Sequence, residues 1–312
     1  TAVAVIDAYA DIDAGLGDEA ITINSGSVSV AQARSLNALT TGVVTGTITA
    51  GTRISAMLHA DTGITETGGS NAYTITVDAA DATATAANLT SLNALTTVNV
   101  DAAAVTTVTG SISQVQTLYG NSGVSNLGNE AITVNDTGSV AAADLTIVGD
   151  YSTGTVTASG VETITGTAAA VIDAYADIDA GLGDEAISIN SGSASVAQAV
   201  SLDDLTTGVV TATITEGDLA TLASLTDDNN NNVYTVTITD ASVAAATIST
   251  IHAKNVGGTF AFHNDVATVT GTAAAVITAY SQIDSGTGDE AITINDGSVT
   301  VAQARSLNAL TT

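Results

Sequence analysis

Oxygen ligands are the chemistry-bearing groups that this chain repeats at a fixed spacing. Asp11, Asp13, Asp18 and Glu19 surround Gly15 and Gly17 in the run Asp-Ile-Asp-Ala-Gly-Leu-Gly-Asp-Glu. The run returns unchanged at 177–185, with Asp177, Asp179, Asp184 and Glu185. A third copy keeps Asp284, Asp289 and Glu290 but has Gln282 in place of the first Asp. Calcium takes about six to eight hard oxygens, and such a run supplies several. These residues are therefore candidate Ca2+ ligands, and Ca2+ is the one cofactor the sequence suggests. The same loops also read as solvated acidic surface that keeps neighbouring molecules apart. Ile12 and Ile178 continue a helical apolar face, which would make the flanking Asp side chains diverge. Asp227-Asp228 followed by Asn229 to Asn232 is a second oxygen-rich candidate, or an exposed loop.

Other chemistry lacks its residues. His59, His252 and His263 stand alone, with no His-x-x-x-His or Glu-x-x-His spacing. The chain has no Cys, which excludes disulfides, thiolate zinc and thiol catalysis. No Gly-x-Ser-x-Gly elbow and no phosphate loop with Lys occur. The expectation is that the protein is not an enzyme. Thirty-two acidic residues face four basic ones (Arg34, Arg53, Lys254, Arg305), a formal charge of −28. That balance argues against nucleic-acid phosphates as partners. No apolar run approaches the roughly 18 residues of a membrane span, so no membrane insertion is expected.

The elements that must position these loops come from repetition. Residues 1–43 and 167–209 agree at 37 of 43 positions without a gap, and 1–41 and 272–312 agree at 33 of 41. Smaller units lie inside. Ala20-Ile-Thr-Ile-Asn24 recurs at 186–190 with Ser188, at 291–295, and as Ala131-Ile-Thr-Val-Asn135. Its period-two alternation is that of a strand. Val30, Ala33, Leu36 and Leu39 follow at helical spacing, with Ser29 as N-cap and Gly42 or Gly208 as helix stop. In 168–178, Val171, Ile172, Tyr175 and Ile178 mark one helix face, and Tyr9, Tyr175 and Tyr280 share a phase that speaks for packing. A pair of units runs from Gly46 back to the equivalent start, and another from Gly166 to Ala212. Each unit is therefore about 23 residues long, within the size range of strand-plus-helix repeats.

The expected fold is an α/β repeat: a parallel β-solenoid-like rod, one strand plus one short helix per coil of about 23 residues, uncapped at both ends. About a dozen coils at roughly 4.8 Å would make a rod about 55–60 Å long. It is expected as one continuous solenoid over 1–312, with repeats at 1–45, 46–109, 110–165, 166–211, 212–270 and a partial one at 271–312. Extra strand-like segments near Val98, Val156 and Phe260 are either a tight additional coil or an edge hairpin. Asn24, Asp78, Asn135, Asn190 and Asn295 form either an internal amide ladder or ordinary Asx turns. Absent proline suits uninterrupted strand ladders.

Val-Ala-Gln-Ala followed by Leu-x-x-Leu-Thr-Thr, at 30–41, 196–207 and 301–312, resembles repeats of giant bacterial cell-surface proteins and adhesins. Ala158-Ser-Gly-Val-Glu-Thr-Ile164 is similar to segments of calcium-dependent S-layer and type I secreted proteins. The Gly-Gly-x-Gly-x-Asp calcium nonapeptide of that group is absent. The resemblance implies an extracellular, cell-surface location. Together with the repeats it leads to the expectation of a structural segment of a bacterial filament, sheath or giant surface protein. Its partner would be itself, as a homopolymer or longer tandem array. The alternative is an adhesin-type binding module that uses an exposed solenoid face, is calcium-dependent and takes cell-surface glycans.

Overall fold

A computed structural model describes residues 1–12, 15–65, 71–228, 231–255 and 257–311. The architecture is mixed α/β. Its paired strands are all parallel, and twelve α-helices lie among the described residues. Among the described residues no sheet closes into a barrel. The chain forms two compact units. One holds 1–136, 147–160 and 178–180, the other 137–146, 161–177 and 181–312.

In the first unit a four-stranded sheet orders Val156–Thr157, Ala131–Val134, Thr107–Gly110 and Thr83–Thr85. A three-stranded sheet joins Ile21–Thr22, Val44–Thr47 and Ala72–Thr74, and Val100–Asp101 pairs with Val124–Ser125. The second unit has a six-stranded sheet: Thr259–Phe262, Val233–Ile238, Val210–Thr213, Ala186–Ile189, Val161–Gly166 and Gly138–Ala141. Ser242–Ala244, Thr268–Gly271 and Ala291–Ile294 form a further sheet there.

A strand's partner lies one repeat away. Ile21 pairs with Val44 and Ile187 with Val210, the same step along the chain in both units. Among the named strands the shortest such step is from Thr211 to Val233 and the longest from Thr45 to Ala72. The strand content is richer than one per repeat. Two strands precede the helices Ala142–Gly149, Ala168–Asp177, Ala245–His252 and Ala273–Tyr280. The extra segments make no hairpin: Val100, Val156 and Phe260 each pair in parallel with a strand one repeat away.

Alternation sets the core. Ala84, Val108, Ile132 and Val156 face inward across one sheet and are buried, while the Thr between them face out. Small buried residues such as Ala168, Ala174, Ala199, Ala245 and Ala279 let helices lie side by side. Ala168–Asp177 packs against Val196–Leu205, and Ala245–His252 against Ala273–Tyr280. The helix starts are fixed by full capping boxes at Ser29/Gln32, Ser111/Gln114, Ser195/Gln198 and Thr300/Gln303. The predicted glycine stops are not where the helices end. Those helices end at Leu39 and Leu205, with Thr40 and Thr206 extended behind them.

Candidate functional site

Each acidic loop is built around a glycine that only glycine's freedom permits. Gly17, Gly183 and Gly288 have φ of +134°, +132° and +134°, a region closed to residues with a Cβ. That conformation turns the glycine N–H onto the glutamate two residues on. The N–H to Oε2 distances are 2.8 Å for Glu19, 2.8 Å for Glu185 and 3.0 Å for Glu290. The tyrosine of the preceding helix supplies a second donor: Tyr9 at 3.0 Å from Glu19 and Tyr280 at 2.9 Å from Glu290. The Tyr175 hydroxyl is buried and has no hydrogen-bond partner among the described residues. Glu185 and Glu290 are each only 2 % exposed.

A fourth loop of this kind escaped the sequence reading. Gly128 (φ +120°) donates to Glu130 at 2.8 Å, and Tyr119 donates to the same carboxylate while stacking on Tyr151 at 4.9 Å. It lacks the Asp-x-Asp run. The signal that identifies it is a Tyr at the end of one helix followed, across a loop, by Gly-x-Glu. Tyr9/Glu19 and Tyr119/Glu130 share that arrangement.

The repeat that follows clamps each loop. Thr40 donates to the Glu19 carbonyl, Thr206 to that of Glu185 and Ser152 to that of Glu130, each at 2.6 Å. The next residue's N–H bonds the loop glycine: Thr41 to Gly17 at 2.7 Å and Thr207 to Gly183 at 2.8 Å. The Leu-Thr-Thr-Gly motif is thus a latch onto the loop of the repeat before it.

Among the described residues the candidate calcium ligands meet different partners. The glutamates point to glycine and tyrosine donors. Asp18, Asp184 and Asp289 are exposed at the loop surface. Asp11 is exposed at the end of the first helix, Asp177 is half-buried, and Asp13 lies outside the described residues. Asp179 and Asp284 accept the N–H of Val156 and Phe260, at 2.7 and 2.8 Å, at the start of a strand one repeat earlier. Among the described residues no three His, Asp or Glu side chains gather as a metal group. His59 serves its own turn by accepting from Asp61 and Thr62, and His263 pairs with Asp265 at 3.0 Å.

Much of the remaining acidity caps helices across repeats. The first N–H of a helix is orphaned, and a carboxylate there also meets the positive end of the helix dipole. Asp81 accepts from Ile54 at 2.7 Å, Asp136 from Ile112 at 2.6 Å and Glu216 from Val196 at 2.9 Å. Asp240 accepts from Leu219 at 2.6 Å. Each donor opens a helix, and each acid comes from the repeat that follows. Arg53, beside one such helix start, pairs with Asp81 at 2.8 Å.

The environment shifts several titrations. The Gly17 N–H, ahead of the Tyr9 hydroxyl, holds the Glu19 carboxyl below the usual carboxylate range. Burial pushes the phenols of Tyr234 and Tyr280 far above the ordinary tyrosine value. The charges of Asp203 and Asp227 add to this at Tyr234, and the hydrogen bond to Glu290 adds at Tyr280. Their folded pKa values are raised, so their stabilising contribution is whole below about pH 10. It is lost as the pH rises further. Phenolate absorbance in an alkaline titration should therefore develop for fewer than all seven tyrosines while the chain is folded. The missing phenolates should appear on unfolding in denaturant. Ionisation of all seven before any loss of circular dichroism would contradict the burial of these two rings.

The chain matches no protein-family model, no curated protein and no solved structure. Among the described residues no helix is long and apolar enough to cross a membrane.

Proposed function

We propose that the chain is a structural repeat segment of an extracellular bacterial filament, sheath or giant surface protein. In this reading it is a continuous parallel α/β solenoid that assembles by stacking coil on coil and performs no catalysis. The observation that carries the proposal is one sequence in three settings. In the copy at 167–209, Ile187, Ile189, Val196, Ala199 and Leu202 are buried. Their counterparts Ile292 and Ile294 are half-buried, Ala304 is exposed, and Val301 is 73 % exposed against 2 % for Val196. In the first copy the opposite side is open: Ile12 is 50 % exposed against 6 % for Ile178, and Ala8 is exposed where Ala174 is buried. Apolar surface of this kind favours association at roughly 25 cal/mol per Å2. In the 167–209 copy the strand Val210–Thr213 lies beside Ala186–Ile189, and in this reading a further repeat takes the equivalent place at the open copies. The near absence of Lys and Arg, which leaves four tryptic sites, supports an extracellular setting.

Sedimentation and negative-stain images over a range of concentrations test this. End-to-end particles should grow with concentration, and Val301→Asp should suppress them without lowering the melting temperature. Compact monodisperse monomers at every concentration would overturn the proposal.

One observation favours the second reading, a binding module. Thr85, Thr109, Thr133 and Thr157 stand in register on four neighbouring strands, facing away from the core. Thr213, Thr235 and Thr259 do the same in the other unit. Regular hydroxyl rows suit cell-surface glycans, and specific retention on a glycan array separates this reading from a purely mechanical one.

A further inference from the structure

We propose that Tyr119 and Tyr151 form an oxidative cross-linking site, where a one-electron oxidant joins two neighbouring repeats through a carbon–carbon bond between the rings. Comparison of the repeats points there first. The loops of Glu19 and Glu185 are latched by Thr40 and Thr206, and the residue before each latch is a leucine, Leu39 or Leu205. The loop of Glu130 is latched by Ser152, and the residue before it is Tyr151. Tyr119 already ends the helix Ile112–Tyr119, and Tyr151 follows the next helix, Ala142–Gly149. A tyrosine in the leucine position therefore sets two phenols side by side, one from each of two consecutive repeats.

The rings are ready to couple. They are nearly parallel, with centroids 4.9 Å apart and planes 10° from one another, which is an offset stack. Two phenoxyl radicals combine only when their rings touch, and the stack supplies that contact before any oxidation occurs. Both residues are half-buried, so a small oxidant can reach them.

The second, independent sign is a proton acceptor already in place. The Tyr119 hydroxyl donates to the Glu130 carboxylate. A phenol that loses an electron becomes strongly acidic, and a positioned carboxylate takes its proton. Glu130 is 2 % exposed, and the N–H groups of Gly128 and Asn129 hold it at 2.8 and 3.1 Å. The third sign is the lack of competing sinks. One-electron oxidation of other proteins falls on Cys, Trp and Met as well as on Tyr. This chain has no Cys and no Trp, and its one Met, Met57, is fully buried.

The step balances with a peroxide as oxidant. Each phenol gives up one electron and its O–H proton, leaving two phenoxyl radicals. Their unpaired electrons pair as a bond between one ortho carbon of each ring. The hydrogen on each of those carbons then moves to the phenol oxygen, which restores both aromatic rings. The two electrons and two protons released reduce one H2O2 to two H2O. The product closes a loop, as a disulfide does, and restricts the unfolded chain.

Hydrogen peroxide with a haem peroxidase, applied to dilute protein, tests the site. The expected product is a monomer on a denaturing gel, lighter by two hydrogens, with dityrosine fluorescence and a raised melting temperature. Peptide mapping should join the segment holding Tyr119 to the one holding Tyr151. Tyr151→Leu installs the residue that the other two loops carry, so this variant should fold. Tyr151→Phe keeps the stack but removes the phenol. Each should lower the yield of cross-linked monomer at least tenfold. Cross-linked monomer at the unaltered level in Tyr151→Phe would overturn the proposal. So would a map that joins a different pair of tyrosines, or an unaltered chain that stays uncoupled or gives only dimers between chains.

Discussion

Replacing Gly208 by Ala should cost about 3 kcal/mol, a large share of a domain's stability. The reason is distance, not backbone freedom. A Cβ at Gly208 would lie 2.2 Å from the carbonyl oxygen of Glu185 and 2.6 Å from its carbon. Neither atom can retreat. The Glu185 carbonyl is already held by the Thr206 hydroxyl at 2.6 Å, and Thr206 Oγ1 also accepts the Gly208 N–H at 2.9 Å. The same crowding recurs at Gly42 and Gly154, where a Cβ would meet the Glu19 and Glu130 oxygens at 2.4 Å. Gly192 is the control. Its φ of +81° disfavours Ala by roughly 1 kcal/mol, but nothing lies within 4 Å of its Cβ position. Urea midpoints should therefore fall much further for Gly208→Ala than for Gly192→Ala. The reverse order would show that the latch does not bind the loop as tightly as these contacts require.

That latch marks the boundary of what the sequence made legible. Local rules worked where the partner is local. Ser29, Ser111 and Ser195 cap their helices because Gln stands three residues on, and the strands alternate because one face meets the core. The repeat length was legible too, since the step from Ile21 to its partner Val44, and from Ile187 to Val210, is the spacing of the repeats. What escaped depends on which residues meet across a repeat. Gly42 and Gly208 read as helix stops, yet their role is to let a carbonyl of the preceding loop approach. Asp81, Asp136 and Asp240 belong to no motif of the sequence, yet each caps a helix that begins a whole repeat earlier. No local pattern announces such a cap.

The acidic loops illustrate the same limit. Their composition matches an oxygen-rich ion site, and spacing alone cannot say that the glutamate turns to a glycine N–H and a tyrosine hydroxyl. A donor on the preceding helix decides where the charge goes. The Asn positions behaved likewise. Asn24, Asn135, Asn190 and Asn295 are exposed, and Asp78 makes a local turn by accepting from Ala80 at 2.9 Å. The buried amides sit elsewhere, at Asn37, Asn71, Asn232 and Asn255, just ahead of a strand or on the preceding helix. There they bond into a neighbouring repeat: Asn71 accepts from Val44 at 2.9 Å and Asn232 from Val210 at 3.0 Å.

Asn255 bonds one neighbouring residue with both ends of its side chain, and Asn255→Leu should cost about 4 kcal/mol, summing two buried groups at roughly 1–3 each. Its Oδ1 accepts the Tyr234 N–H at 2.6 Å, and its Nδ2 donates to the Tyr234 carbonyl at 2.8 Å. The side chain thus stands in for a strand residue, one repeat on, before the strand Thr259–Phe262 begins. Both residues are fully buried, so water cannot replace the lost bonds. Crowding at Gly258, whose Cβ would lie 2.1 Å from the same Tyr234 carbonyl, leaves no room for the backbone to take over. Asn255→Asp keeps the acceptor but sets a carboxylate oxygen against that carbonyl. It should be destabilised at neutral pH and recover part of the loss in acid, where the protonated carboxyl can donate again. Asn24→Leu, at an exposed turn, should move the urea midpoint by less than the equivalent of about 0.5 kcal/mol. Equal costs at Asn24 and Asn255 would mean that buried amides do not join these repeats, and that strand pairing and the apolar core alone hold them.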